Sequence, residues 1–189
     1  MSKISKIIKH NRHFVKERKY EKYGTSKYPN KKVAILTCMD TRLEELLPAA
    51  LGIKNGDVKM IKNAGAVISH PFGSIMRSLL IGVYLLQVDE IMIIGHRDCG
   101  MQVMQSSEIL DQMRYRGISN DTISTLVNSG INLHDWLQGF SCEYESVKKT
   151  VAAVTNHPLM PNDIAVSGFI IDPNTGELEI VIQAFSEKA

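Results

Sequence analysis

The sequence predicts an α/β fold: a mostly parallel central sheet flanked by helices, with a C-terminal β-hairpin and an N-terminal helical arm. Three observations predict it. Short apolar runs, "VAILTC" at 33–38 and "EIMIIG" at 90–95, have the look of strands buried on both faces. They alternate with stretches of helical pattern, as parallel strands joined by crossover helices must. The chain then closes on "DIAVSGFIID", "PNTG" and "ELEIVIQAF", a strand, a turn and a return strand.

The elements follow in order. Residues 1–32 form a basic helical arm that ends at "KYPNKK", and residues 33–189 form a single α/β domain, long enough to bury a core. "VAILTC" is the first strand. "LEELLPAALG" is a short helix stopped near Gly52, and "NGD" at 55–57 is a turn. "VKMIKNAG" is a second strand running into a glycine loop. "PFGSIMRSLLIGVYLLQ" is an apolar helix opened by Pro71. After the third strand a helix is expected from Gly100 to Met113. Residues 114–140 are polar and weakly periodic, and are expected to be loop and short helix. "CEYESVKKTVAAVTN" is an amphipathic helix before the terminal hairpin.

Composition narrows the function classes. Apolar residues make up 44% and charged residues 22%, with a net charge of +2, an ordinary globular balance. No apolar run is long enough to cross a bilayer, and the basic N-terminus has no apolar signal core. A cytoplasmic protein is expected. Three cysteines, Cys38, Cys99 and Cys142, then argue for metal or catalytic thiols over a disulfide framework. The charge is unevenly spread. Residues 1–32 carry 11 Lys and Arg against 2 acids, and the remainder 11 against 18. A basic arm on an acidic body can bind nucleic acid, lie on an anionic membrane, or dock on a second subunit. Ile4, Ile7, Ile8, Phe14 and Val15 add an apolar stripe of loose helical spacing, which favours docking on protein; neither nucleic acid nor membrane is expected as a partner.

In parallel sheets the ligand site lies beyond the carboxyl ends of the strands, where the winding reverses. Soft ligands stand there. Cys38 ends the first run, and "GHRDCG" places His96 and Cys99 after the third. Two thiolates and an imidazole suit zinc in softness and in tetrahedral geometry, with the fourth position left to water in a catalytic site. Core cysteines and a core histidine are the plainer reading, and placement at two strand ends brings metal level with it. Cys142 precedes a helix, far from any strand end, and reads as a small buried hydrophobe. "CMDTR" sets Asp40 and Arg42 on the loop after Cys38. Such a pair is either a solvent-exposed ion pair of little worth or a clamp in which Arg42 holds Asp40 to orient water and keeps it off the metal.

These residues carry a resemblance. "CMDTR" followed by "GHRDCG" resembles the C-x-D-x-R and H-x-x-C-G motifs of the β-class carbonic anhydrases, in their short form. "IKNAGA" resembles that family's loop after its second strand, and "VSGFIIDPNTGELEIV" its terminal hairpin. The resemblance implies one Zn2+ per chain on Cys38, His96 and Cys99, with Asp40 and Arg42 as the catalytic dyad. It implies reversible hydration of carbon dioxide to bicarbonate and a proton. It also implies a homodimer, or a multiple of dimers, in which the N-terminal helix reaches over its partner. Two positions depart from the pattern. The glutamine found before the first strand in larger members is missing from "KYPNKK", and Arg97 stands where a small or hydroxyl residue is usual. Arg97 would hold bicarbonate or point to solvent. Homologues with these motifs hydrolyse carbon disulfide, so that reaction and a non-catalytic bicarbonate sensor are the alternatives. Two thiolates offset the metal's charge, so activity should favour alkaline pH. Met39, Ala66 and Val67 are expected to line the substrate pocket. Backbone N–H groups near Gly100 and the "NAGA" loop are expected to face developing charge. His70 is either a proton shuttle or merely exposed.

Overall fold

The computed structural model describes residues 2–184. Helix α1 (Lys3–Lys16) forms the arm, and Ser2 caps it by accepting the Ser5 N–H at 3.1 Å. The domain follows as β1 (Val33–Cys38), α2 (Leu43–Ala50), β2 (Val58–Asn63), α3 (Ser74–Leu86) and β3 (Glu90–His96). It continues with α4 (Ser106–Tyr115), α5 (Asn120–Asn128), α6 (Leu133–Leu137), α7 (Glu143–Thr155), β4 (Ala165–Ile171) and β5 (Leu178–Ile182). The sheet order is β2-β1-β3-β4-β5, and every pairing is parallel except β4 with β5. The expected fold class is therefore observed. The expected return strand runs to Phe185, and that residue, with the remainder to 189, lies outside the described residues.

Alternation along β1 explains the two layers. Ala34 and Leu36 face a core built with Met76 and Leu79 of α3 and Val147, Val151 and Val154 of α7. Ile35 faces a second core with Leu43 and Leu47 of α2, Ile94 and Ile171, and Cys38, at the end of the strand, joins that core out of the alternation. Each such Leu or Ile, fully buried, stabilises the fold by about 1.5–3 kcal/mol. Gly168 on β4 admits α7 to close range, since a Cβ there would lie 2.6 Å from Val147 Cγ1.

Two helix starts differ from expectation. Pro71 does not open α3. Pro71 and Phe72 sit in a turn closed by Gly73 N–H donating to the His70 carbonyl at 3.0 Å, and Gly73 is the N-cap. The helix expected from Gly100 is a single 3-10 turn, Gly100–Gln102, and α4 begins only at Ser106. The carbonyls of Met101 and Met104 are taken by the N–H groups of Phe140 and Gly139, so they are spent on a distant loop instead of on a helix. The weakly periodic stretch 114–140 contains α5 and α6, capped by Ser119 and Asn132. With α4 these make a small separate core of Leu110, Ile123 and Leu133.

Candidate metal centre

Strand β1 lies between β2 and β3, so the chain winds away from it in both directions, and a crevice opens beyond the ends of β1 and β3. Cys38 is the last residue of β1 and His96 the last of β3, with Cys99 three residues on. One ligand atom from each lies within 4.8 Å of the others, and all three residues are buried. Among the described residues this is the only such cluster. Cys142, expected to be buried, is half-buried at the N-cap of α7 and stands apart from it.

The chemistry of each donor follows from its partners. His96 Nδ1 lies 2.9 Å from the Arg97 carbonyl. A carbonyl only accepts, so Nδ1 carries the proton and the neutral ring turns a lone pair outward at Nε2. That Nε2 is buried and has no hydrogen-bond partner among the described residues. Burial pushes His96 down, but the Cys38 sulfur and the Arg97 carbonyl outweigh it and leave the imidazole raised. The two sulfurs lie 3.9 Å apart. Hydrogen bonding from the Cys99 thiol lowers Cys38 to about 4 against the cost of burial, with help from His96 and backbone N–H groups, while Cys99 is pushed up, first by Cys38 and then by burial. Two sulfurs 3.9 Å apart beside an orphaned imidazole lone pair fit a soft divalent cation, whose binding displaces thiol protons.

One backbone donor is already committed. Gly65 N–H donates to Cys38 Sγ at 3.3 Å. The "NAGA" loop was expected to offer its N–H groups to substrate, and at Gly65 that expectation is corrected: the group serves a sulfur. Gly65 has φ +79°, and a Cβ there would stand 3.0 Å from Phe140 Cε1 and 3.1 Å from Met101 Cγ, so only glycine brings this N–H so close. Of the expected pocket residues, Ala66 is buried, Val67 half-buried and Met39 largely exposed. His70 is exposed, and its Nδ1 accepts the Phe72 N–H at 3.0 Å.

Asp40 and Arg42 form the bidentate pair. Arg42 Nε donates to Asp40 Oδ1 at 3.0 Å and Nη2 to Oδ2 at 2.8 Å, and the Arg42 N–H adds a bond to Oδ1 at 2.9 Å. These hydrogen bonds hold the Asp40 carboxyl at about 2 despite partial burial. Asp40 Oδ2 also lies 3.8 Å from His96 Nε2, so the carboxylate faces the same point as the three donors. Asp98 is the residue that sequence reasoning missed. Its carboxylate accepts from Arg42 Nη1 at 2.9 Å and its carbonyl from Nη2 at 2.8 Å. Its position inside "HRDC" was the available signal. Of the two expectations for Arg97, exposure to solvent is observed, with the addition that its guanidinium pairs there with Glu179 Oε2 at 2.8 Å.

A doubly wound α/β protein with soft donors gathered at its switch point is the class that this geometry defines. A family model described as carbonic anhydrase matches residues 33–178. YvdA of Bacillus subtilis, provisionally named as a carbonic anhydrase, is 49% identical over 98% of this chain and 94% of its own length. The crystal structure of β-carbonic anhydrase isoform I from Trichomonas vaginalis shares 34% identity at a TM-score of 0.89, covering 98% of this chain and all of that one. A carbon disulfide hydrolase of Acidithiobacillus thiooxidans is 29% identical over 79% of this chain and 76% of its own length. The chain belongs to the β-carbonic anhydrase family.

Proposed function

We propose that this chain is a zinc enzyme that converts carbon dioxide and water reversibly to bicarbonate and a proton, with residues 33–189 as the catalytic domain. The observation that carries the reading is the buried convergence of Cys38 Sγ, His96 Nε2 and Cys99 Sγ beside an Asp40 carboxylate fully engaged by Arg42. Cys38, His96 and Cys99 would hold one Zn2+. When bound there, zinc supplies a Lewis acid that lowers the pKa of water toward neutrality.

The chain's own residues do the rest. Asp40 Oδ2 accepts a hydrogen bond from the reacting water and so aims an oxygen lone pair at carbon dioxide. Arg42 keeps both carboxylate oxygens occupied, which holds Asp40 off the cation. Asp98 fixes Arg42 from the other side of the crevice. Stopped-flow measurement of carbon dioxide hydration by zinc-quantified protein, at neutral and alkaline pH, tests the reading. A zinc-loaded protein inactive across that range overturns it. The 29% identity to a carbon disulfide hydrolase supports a second reading, hydrolysis of a small carbon–sulfur substrate, and the same protein assayed with carbon disulfide decides between them. A zinc-loaded protein inactive on both substrates would leave the non-catalytic bicarbonate sensor, which bicarbonate binding to that protein would test.

The working unit is proposed to be a homodimer or a multiple of it. No residue of α1 is buried, and Ile4, Ile7, Ile8 and Val15 stand in solvent. An apolar groove of about 440 Å³ along α3, lined by Phe72, Leu80, Tyr84, Leu85 and Leu159, is equally uncovered. A second copy accounts for both surfaces. No helix among the described residues is long and apolar enough to cross a membrane. A cytoplasmic location is part of the same proposal, supported by three free cysteines of which two stand in the metal cluster.

A further inference from the structure

Arg97 lies in the loop between His96 and Cys99, yet its side chain turns away from both. Its Nη2 donates to Glu179 Oε2 on β5 at 2.8 Å and approaches the Tyr144 hydroxyl at 3.4 Å. That hydroxyl, from the first turn of α7, donates to the same carboxylate oxygen at 2.7 Å. The Arg97 N–H donates to the Ile171 carbonyl of β4 at 3.1 Å. One residue is thus tied through its backbone to β4 and through its guanidinium to β5 and α7. What is left is its carbonyl, and that carbonyl is the acceptor for His96 Nδ1–H at 2.9 Å.

The peptide that bears this carbonyl is under constraint. Asp98, on its far side, has φ +53°, a left-handed conformation that a non-glycine residue keeps only when its surroundings hold it. Arg42 holds it from one side, through both the carboxylate and the carbonyl of Asp98. The Glu179–Tyr144 pair holds it from the other. If the peptide turned, the hydrogen bond to Nδ1–H would break: either the imidazole follows, and Nε2 leaves the point shared with the two sulfurs, or Nδ1–H is stranded in a buried site. An exposed ion pair adds little to folding by itself, so what Arg97–Glu179 supplies here is position.

We propose that Glu179 and Tyr144 are positioning residues for the metal centre, holding through Arg97 the carbonyl that fixes the tautomer and orientation of His96. This rests on the metal-centre reading above. Outer partners of metal-bound histidines commonly change metal affinity ten- to a hundredfold.

The test uses the full chain loaded with zinc and, separately, with cobalt(II), in the variants Glu179→Gln, Tyr144→Phe, Arg97→Ala and Arg97→Lys. Chelator competition should show zinc affinity reduced about tenfold in Glu179→Gln and Arg97→Ala, and less in Tyr144→Phe. The visible cobalt spectrum, which reports ligand geometry, should shift in the same order. Arg97→Lys, which keeps a cation for Glu179, should recover most of the affinity. Arg97→Ala combined with Glu179→Gln should be no weaker than Arg97→Ala alone, because both act along one path. Metal-free forms of all variants should unfold with the wild type. Tyr144→Phe removes one hydroxyl and keeps its ring, so it remains informative if Arg97→Ala does not fold. Variants with wild-type affinity and an unchanged cobalt spectrum overturn this proposal alone, whatever their melting behaviour. A wild type that takes up neither metal overturns the metal-centre reading, and this proposal with it.

Discussion

Arg42 and Asp98 are joined twice across 56 residues of sequence, Nη1 to the carboxylate at 2.9 Å and Nη2 to the main-chain carbonyl at 2.8 Å. The same Nη2 also donates to Asp40 Oδ2. One guanidinium therefore staples the loop after β1 to the loop after β3, and the dyad cannot shift without the loop that carries His96 and Cys99. Planar five-donor geometry makes this possible for arginine and not for lysine.

Removing the staple should separate binding from catalysis. Arg42→Ala frees Asp40 while leaving all three soft donors, so zinc content should stay near one per chain and the rate of carbon dioxide hydration should fall about a hundredfold or more. Asp98→Ala leaves the Asp40–Arg42 pair in place and should cost about tenfold. Stopped-flow rates beside metal analysis of the same samples check both. A zinc-replete Arg42→Ala protein of undiminished rate would exclude the clamp.

The donor set predicts which cysteine matters. Cys38→Ser, His96→Ala and Cys99→Ser should each leave purified protein with little zinc, and Cys142→Ser should leave it full, since Cys142 stands outside the cluster. Atomic absorption on dialysed protein reads this directly. Loss of metal in Cys142→Ser with retention in Cys99→Ser would reassign the site.

Gly65→Ala should damage the fold and the site together. The residue has φ +79°, and the added methyl meets Phe140 and Met101. A stability loss of about 1–3 kcal/mol is expected in denaturant titration. The Gly65 N–H bond to Cys38 Sγ should weaken as well, so zinc should dissociate faster than from wild type. A variant as stable as wild type, with unchanged zinc release, would show that the loop has room to adjust.

Deleting residues 1–23 should weaken the proposed dimer, because no residue of α1 is buried on its own chain and its apolar face is left for a partner to cover. Sedimentation at several concentrations should show a species that dissociates on dilution, where the full chain does not. An unchanged oligomer from the truncated chain would mean that α1 covers nothing on a partner.

By itself the sequence determined what depends on local pattern and on side-chain chemistry. Runs apolar on both faces, such as "VAILTC", must be buried strands, and a Cys or His that ends such a run must stand at the mouth of a parallel sheet. The three soft donors and the Asp40–Arg42 pair were legible for that reason. Tertiary structure decided what depends on which distant groups compete for the same hydrogen bond. Helix α4 starts at Ser106 because Phe140 and Gly139 take the Met101 and Met104 carbonyls, a competition with a segment more than thirty residues away that no local pattern reports. Arg97 turns to Glu179, 82 residues on, and Arg42 reaches Asp98, because the sheet sets the end of β3 one strand away from β5, across β4, on one side and beside the loop after β1 on the other. Spacing along the chain carries the identity of a donor; only the fold sets which acceptor it meets.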